Sequence, residues 1–344
     1  MSLNWTELKE APVTIVGGLD LHRAQITFDY VDTATGEVRT GRITPACRES
    51  FARFLADLPT CDVDMVVEGC TGWLFVADEL ARAGMRAHVA DPAEAAALRG
   101  RKKRAKTDRA DARHLRQLMI DDRVPESWIP PAHVLEARTL GRLYMDLLHS
   151  RNAWAQRTHA TLFHYGAPPV GSDLTTAARQ DQVLELAGQL PASPAHAVDV
   201  AVHLIRGHNE LLAGVRQQLA WIGRHQNGAK AIQSLYGVGE LVGPLVWAEM
   251  GDARRFGSSR QAVRHTGLDI TVHDSDGKRS SGHLARQGPG VLRWALYEAA
   301  MKASHRTAPD YAYYHQVKAR HSHKVATISV ARKIARPGRG AGKP

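Results

Sequence analysis

The chain has 344 residues, enough for two domains and a connector at roughly 150 residues per domain. Its 45 Lys and Arg against 35 Asp and Glu leave a formal net charge of +10, which favours a polyanionic partner over an acidic or neutral small molecule. Cys47, Cys61 and Cys70 form neither a metal-ligand spacing nor an even disulfide framework, residues 1–10 lack a basic and apolar leader, and no apolar run approaches the ~20 residues of a membrane span; a soluble, cytoplasmic protein is expected.

Residues 13–21 read as a first strand, Val13-Thr14-Ile15-Val16 leading through Gly17-Gly18 into Leu19-Asp20-Leu21. Alternation over 25–31 predicts a second strand, and a turn at Thr35-Gly36 leads into a third over 37–43. A helix over 50–58, a short buried strand over 64–68, an amphipathic helix over 74–83 capped by Gly84, and a strand over 85–90 ending at Asp91-Pro92 follow. Strands first, then alternation with helices, define a mixed sheet of α/β type. From about Pro130 apolar residues recur at three- and four-residue spacing over 135–165 and 196–225, which predicts long helices with coiled-coil character, broken around Pro168-Pro169. A third, mainly helical region starts near Lys230 and holds a polar loop over 269–282. The expected division is therefore 1–130, a helical connector 131–229, and 230–344.

Positive charge is concentrated in two places. Arg99, Arg101, Lys102, Lys103, Arg104 and Lys106 put six basic residues within eight positions, and from Tyr311 onward eight basic residues stand without an acid. A solvated helical face would intersperse acids, so phosphate is the natural counter-charge.

Two-metal phosphodiester chemistry requires carboxylates converging from separate elements, because Mg²⁺ takes hard oxygen ligands and paired ions sit roughly 4 Å apart. Asp20 ends one apolar strand and Glu68 another. Asp108 and Asp111 share a helix face if Thr107 opens that helix. Singly, each acid fits a plainer role as a turn residue, surface ion-pair partner or helix-start residue. Together, beside a basic run, they meet metal and phosphate requirements at once.

Four segments carry a resemblance: Leu19-Asp20-Leu21-His22-Arg23-Ala24-Gln25, Val66-Val67-Glu68-Gly69-Cys70-Thr71-Gly72, Asp91-Pro92, and Lys106-Thr107-Asp108-Arg109-Ala110-Asp111-Ala112. In succession they resemble the motifs of the RuvC-like DEDD transposases of the IS110 family of insertion sequences. The resemblance implies an RNase H-like (RuvC-like) N-terminal domain whose Asp20, Glu68, Asp108 and Asp111 bind Mg²⁺ as two ions.

Leu235-Tyr236-Gly237-Val238-Gly239, followed by an apolar helix to Met250, resembles a helix-hairpin-helix, in which Gly237 and Gly239 let backbone N–H groups approach a phosphate. Pro244, early in the second helix, is expected to kink it. The order from Arg254-Arg255-Phe256 through Gly267-Leu268, Asp274-Ser275-Asp276-Gly277 and a helix over 288–300 is similar to the same family's C-terminal domain, which supplies a nucleophilic serine. Gap-free alignment from Gly267-Leu268 puts that serine at Ser275, with Ser280 and Ser281 as competitors; Ile270 departs from the family's usual proline. The resemblance further implies DNA as substrate, a composite site completed between subunits of a dimer or tetramer, and a structured non-coding RNA that guides target choice. Two other readings stay open: a Holliday-junction resolvase or nuclease in which metal-activated water attacks, and a non-catalytic nucleic-acid-binding scaffold. A sugar-kinase-like fold shares such a sheet, but the turn after Asp20 lacks the glycine that close phosphate approach requires.

Overall fold

A computed structural model of the chain describes residues 14–99, 107–275, 278–285 and 287–336, and the chain divides into two compact units, Met1–Ile129 and Pro130–Pro344. In the first unit, β1 (Ile15–Leu21), β2 (Ile26–Asp32) and β3 (Val38–Ile43) are followed by α1 (Arg48–Ala56), β4 (Val63–Glu68), α2 (Trp73–Arg82), β5 (Arg86–Ala90), α3 (Pro92–Leu98) and α4 (Asp108–Ile120). The sheet has the order β3-β2-β1-β4-β5. β1, β2 and β3 pair antiparallel, whereas β1, β4 and β5 are parallel.

Both faces of this sheet are covered, which is why β1 and β4 are nearly continuous apolar runs. Val63, Met65 and Val67 of β4 pack with Phe51, Leu55, Val76 and Leu80 of α1 and α2. Val66, alternate to them, joins Ala95, Leu115 and Leu118 of α3 and α4 on the opposite face. Gly18 lets α4 lie directly on β1, since any side chain there would collide with the helix backbone. The fully buried Asp29 of β2 takes the Arg116 guanidinium of α4 at 2.8 Å, so the charge that α4 carries into the interface is matched there.

Two helices go beyond the sequence reading. α3 starts where a strand end alone was expected: Pro92 opens it, and the Asp91 carboxylate accepts from the N–H groups of Ala93 and Glu94, both at 2.9 Å. α6 (Ala177–Ala187) follows the proline break, capped by Thr176.

The second unit is built on α5 (Ala132–His164) and α7 (Ala192–His225), which pack along each other with α6 beside α7. α8 (Asn227–Gln233), α9 (Val242–Met250), α10 (Ser259–Thr266), β6 (Ile270–Ser275), β7 (Lys278–Leu284), α11 (Gly290–Met301), α12 (Tyr311–Arg320) and α13 (His323–Ile334) follow. Its apolar residues form two separate clusters. Tyr144, Met145, Leu212 and Leu219 pack with α9, α11 and α13 in the larger one, and Leu162, Leu174, Val183, Val198, Val202 and Ile205 form the smaller.

The structure departs from the sequence expectation at two places. The polar loop over 269–282 is an antiparallel hairpin, β6–β7, whose ladder rests on backbone pairing that a Ser-, Lys- and His-containing sequence does not advertise. Pro244 lies in the first turn of α9, where a missing N–H removes no helical bond, so the cause expected to kink the helix is absent. No helix among the described residues is long and apolar enough to cross a membrane.

Candidate active site

Strand register brings the first two acids together. Leu19 of β1 pairs with Val67 of β4, so the residues that follow, Asp20 and Glu68, reach the same end of neighbouring parallel strands. The other two acids arrive on α4. Thr107 caps that helix, its hydroxyl accepting from Ala110 N–H at 3.2 Å, and Asp108 and Asp111 occupy the first turn, where the helix dipole favours negative charge.

Asp20 is partly buried at the end of β1. Its Oδ2 is buried without a hydrogen bond, although His22 Nε2 lies 3.3 Å away, close but not aligned as donor and acceptor. The same His22 nitrogen is 3.5 Å from Asp108 Oδ1, and Gln25 donates to Asp108 Oδ2 at 3.0 Å. One ligand atom each from Asp20, His22 and Asp108 lie within 4.8 Å of one another. Burial pushes the Asp20 carboxyl above its ordinary range; His22 opposes this, while Asp111, Asp108 and Glu68 each push it further up. Mutual repulsion among four acids around one buried oxygen is the electrostatic signature of a place that favours a cation. The carboxylate oxygens of Asp20 and Asp108, with the His22 nitrogen beside them, are donors that a divalent ion accepts.

His22 and Gln25 lie within the segment Leu19-Asp20-Leu21-His22-Arg23-Ala24-Gln25, yet nothing in their spacing marks them as partners of Asp108. They reach it because the β1–β2 turn is tight, with His22 N–H bonded to the Gln25 carbonyl at 2.9 Å. Arg99 donates to Asp111 and thereby neutralises the one acid buried on α4. Arg101, Lys102, Lys103, Arg104 and Lys106 lie outside the described residues.

In the second unit, Ser275 is the last residue of β6, in register with Lys278 across the hairpin end. Ser280 and Ser281 stand further along the ladder, opposite His273 and Val272. Gly237, at φ +83°, is pressed against α11: a side-chain carbon there would fall 2.4 Å from the Ala299 carbonyl oxygen. Gly239 has open space around it. Packing thus accounts for the first glycine, and only the second leaves room for an approaching phosphate.

A family model of the DEDD type named for IS110, described as Transposase, matches residues 17–166, and a second, described as Transposase IS116/IS110/IS902 family, matches 229–316. Together they span more than half of the chain. This chain belongs to the IS110 family of transposases. It is 25% identical over 271 residues to a probable family 20 transposase of Pseudomonas aeruginosa, covering 74% of this chain and 76% of that protein. It is 22% identical over 307 residues to the transposase for insertion sequence element IS1328 of Yersinia enterocolitica, covering 84% and 86%. An insertion element IS116 protein of 44.8 kDa from Streptomyces clavuligerus is 27% identical over 168 residues, covering 48% of this chain and 41% of that protein. The IS110-family transposase is thus a DNA-binding enzyme whose DEDD domain has an RNase H-like α/β fold, with which the mixed five-stranded sheet agrees. Divalent metal use belongs to that domain type, and the Asp20, His22 and Asp108 group is consistent with it.

Proposed function

We propose that this IS110-family transposase cuts and exchanges DNA strands by transesterification, with Ser275 as nucleophile and Mg²⁺, as two ions, held by Asp20, Glu68, Asp108 and Asp111. The observation that carries the reading is the meeting of Asp20 of β1, His22 and Asp108 of α4 within 4.8 Å of one another beside an Asp20 oxygen that has no hydrogen bond, with Glu68 at the end of the neighbouring strand β4. Metal bound there supplies charge stabilisation for the attacked and departing phosphate oxygens. Thr107 and the first turn of α4 hold Asp108 and Asp111 in place, and Gln25 orients Asp108.

Ser275 is supported by its backbone position in the last pair of the hairpin ladder, next to the turn. Attack by its Oγ forms a serine–phosphorus bond, breaks one phosphodiester P–O bond and leaves the serine proton on the released sugar hydroxyl. One ester replaces another, so the reverse attack can rejoin a different strand without an energy source. The basic residues of 101–106 and 318–343 grip the DNA backbone, and a structured non-coding RNA selects the target, with a second subunit completing the assembly.

The test is incubation of the full chain with DNA carrying the element's ends and its flanking transcript, in Mg²⁺, resolved on a denaturing gel. A covalent adduct is expected that disappears in Ser275→Ala while DNA binding is kept. Adduct mapped by mass spectrometry to Ser280 or Ser281 moves the nucleophile along the hairpin. Adduct-free cleavage that persists in Ser275→Ala replaces serine with metal-activated water.

A further inference from the structure

A cleft of about 630 Å³ opens in the second unit between α5, α9 and the start of α11. That is within the ~300–1,000 Å³ typical of small-ligand sites. Three features of its lining differ in chemistry and complement one another.

Trp294 forms part of the wall, its ring backed by Tyr144 with centroids 5.9 Å apart. A half-buried indole supported from behind is a surface on which a flat ring stacks. Glu249, also in the lining, is only 2% exposed, and its Oε1 has no hydrogen-bond partner. Its other oxygen lies 3.8 Å from Arg138 Nε. Burial pushes this carboxyl above its ordinary range, against the pull of Arg138, Arg142 and Arg255. An acceptor left unsatisfied at such burial is costly, and an N–H donor brought by a ligand would remove that cost.

The third feature is the N-terminus of α11, at the cleft rim. Pro289 provides no side-chain cap, and among the described residues nothing accepts from the N–H groups of Gly290, Val291 and Leu292. Three open donors at the positive end of a helix dipole make an anion site. Arg142, exposed on the α5 wall, forms no hydrogen bond or ion pair among the described residues. Asp146 and His149 complete that wall.

We propose that this cleft receives one unstacked nucleotide of a single strand: its base lies on Trp294 and donates an exocyclic amino hydrogen to Glu249, and its phosphate sits at the start of α11 beside Arg142. A stacking face, a buried acceptor and an anion site within one cleft match a nucleotide, whereas a free phosphate would leave the tryptophan and the glutamate unused. Cytosine, adenine and guanine carry the amino group; thymine does not. The inference rests on the chain's being a DNA-handling transposase and is independent of Ser275 and of the acids on β1, β4 and α4.

The experiment is run with the full chain in EDTA, so that strand chemistry plays no part. Fluorescein-labelled twelve-residue oligodeoxycytidylate and oligothymidylate are titrated and followed by anisotropy. The parent protein is expected to prefer oligodeoxycytidylate by about tenfold, the value of one charge-assisted hydrogen bond. Glu249→Gln should bring that ratio close to one, because an amide both donates and accepts. Trp294→Ala should weaken both oligomers about tenfold through lost stacking. Arg142→Ala, at an exposed position that folding does not need, should make the salt slope shallower by about 0.7. An oligomer with one 5-iodocytosine should photo-cross-link to the peptide that contains Trp294. A base preference unchanged in Glu249→Gln, a salt slope unchanged in Arg142→Ala, or cross-links confined to other peptides would overturn the assignment.

Discussion

A side-chain carbon added to Gly18 of β1 would lie 2.1 Å from the carbonyl oxygen of Ala112 on α4 and 2.6 Å from the Arg116 nitrogen. Both neighbours are backbone and cannot rotate away. Gly18→Ala must therefore push the whole helix outward, and with it Asp108 and Asp111. Overpacking of this kind costs about 1–3 kcal/mol. Expected results are a lower urea midpoint and loss of DNA cleavage well beyond the stability change; a variant with parental midpoint and activity would mean that α4 is not seated as described.

Asp20→Ala, Glu68→Ala, Asp108→Ala and Asp111→Ala should each abolish strand cleavage while the protein stays folded. Losing one ligand from a site of this kind costs several kcal/mol of transition-state stabilisation, about a thousandfold or more in rate. The decisive pairing is cleavage rate with circular dichroism, and an Asp108→Ala, Asp111→Ala double variant that cuts at the parental rate would remove the acids from the mechanism.

The first unit should lose stability in mild alkali. Burial pulls the His88 imidazole down, but the carboxylates of Asp64 and Glu126 outweigh it and raise the group to about 9. Its Nδ1 is 2.6 Å from Glu126 Oε1, while Nε2 lies 3.9 Å from Asp64 Oδ2, an attraction of charge without a hydrogen bond. A pKa raised on folding contributes stability that is complete below about 6.5 and is lost as pH rises through about 9. At roughly 1.4 kcal/mol per pH unit, the loss is at most about 3 kcal/mol. Urea midpoints at pH 6, 7.5 and 9.5 should fall in the parent and fall less in His88→Gln; parallel curves would show that the histidine does not titrate in this window.

Nucleic-acid binding should weaken steeply with salt. Each phosphate neutralised on duplex DNA contributes a slope of roughly −0.9 in log–log form. Replacing Lys102, Lys103 and Arg104 with glutamine should make the slope shallower by about two to three units. Filter binding across a salt series reads this directly, and an identical slope would assign the run to solvent.

The acids were legible because β1 and β4 are buried on both faces, so a charged residue at the end of each run stands out against Ile15, Val16 and Leu19 or Met65, Val66 and Val67. Thr107 was legible as a cap for the same local reason: a side-chain oxygen three residues before the N–H it receives. What stayed hidden depended on distant partners. Gly18 reads as punctuation until α4 is laid on it. Arg99 reads as one more phosphate-binding cation until Asp111 is beside it, twelve residues on. His22 and Gln25 become partners of Asp108 only through the hairpin turn, and β6–β7 lacks the apolar alternation by which strands are recognised in sequence.

The two apolar clusters of the second unit give one helix pair two different fates. α5 has 33 residues, about 50 Å at 1.5 Å per residue, and the cluster around Leu162, Val183 and Val202 is distinct from the one around Leu219, Leu245 and Leu292. The smaller cluster buries less surface, so the amides around it should open at lower free energy than those of the larger one. Amide exchange should then divide α5 and α7 along their lengths, with Phe163, Val198 and Val202 exchanging early and Tyr144, Val215 and Leu219 late. The far portion of the helix pair should thus open independently while the near portion stays fastened to the rest of its unit.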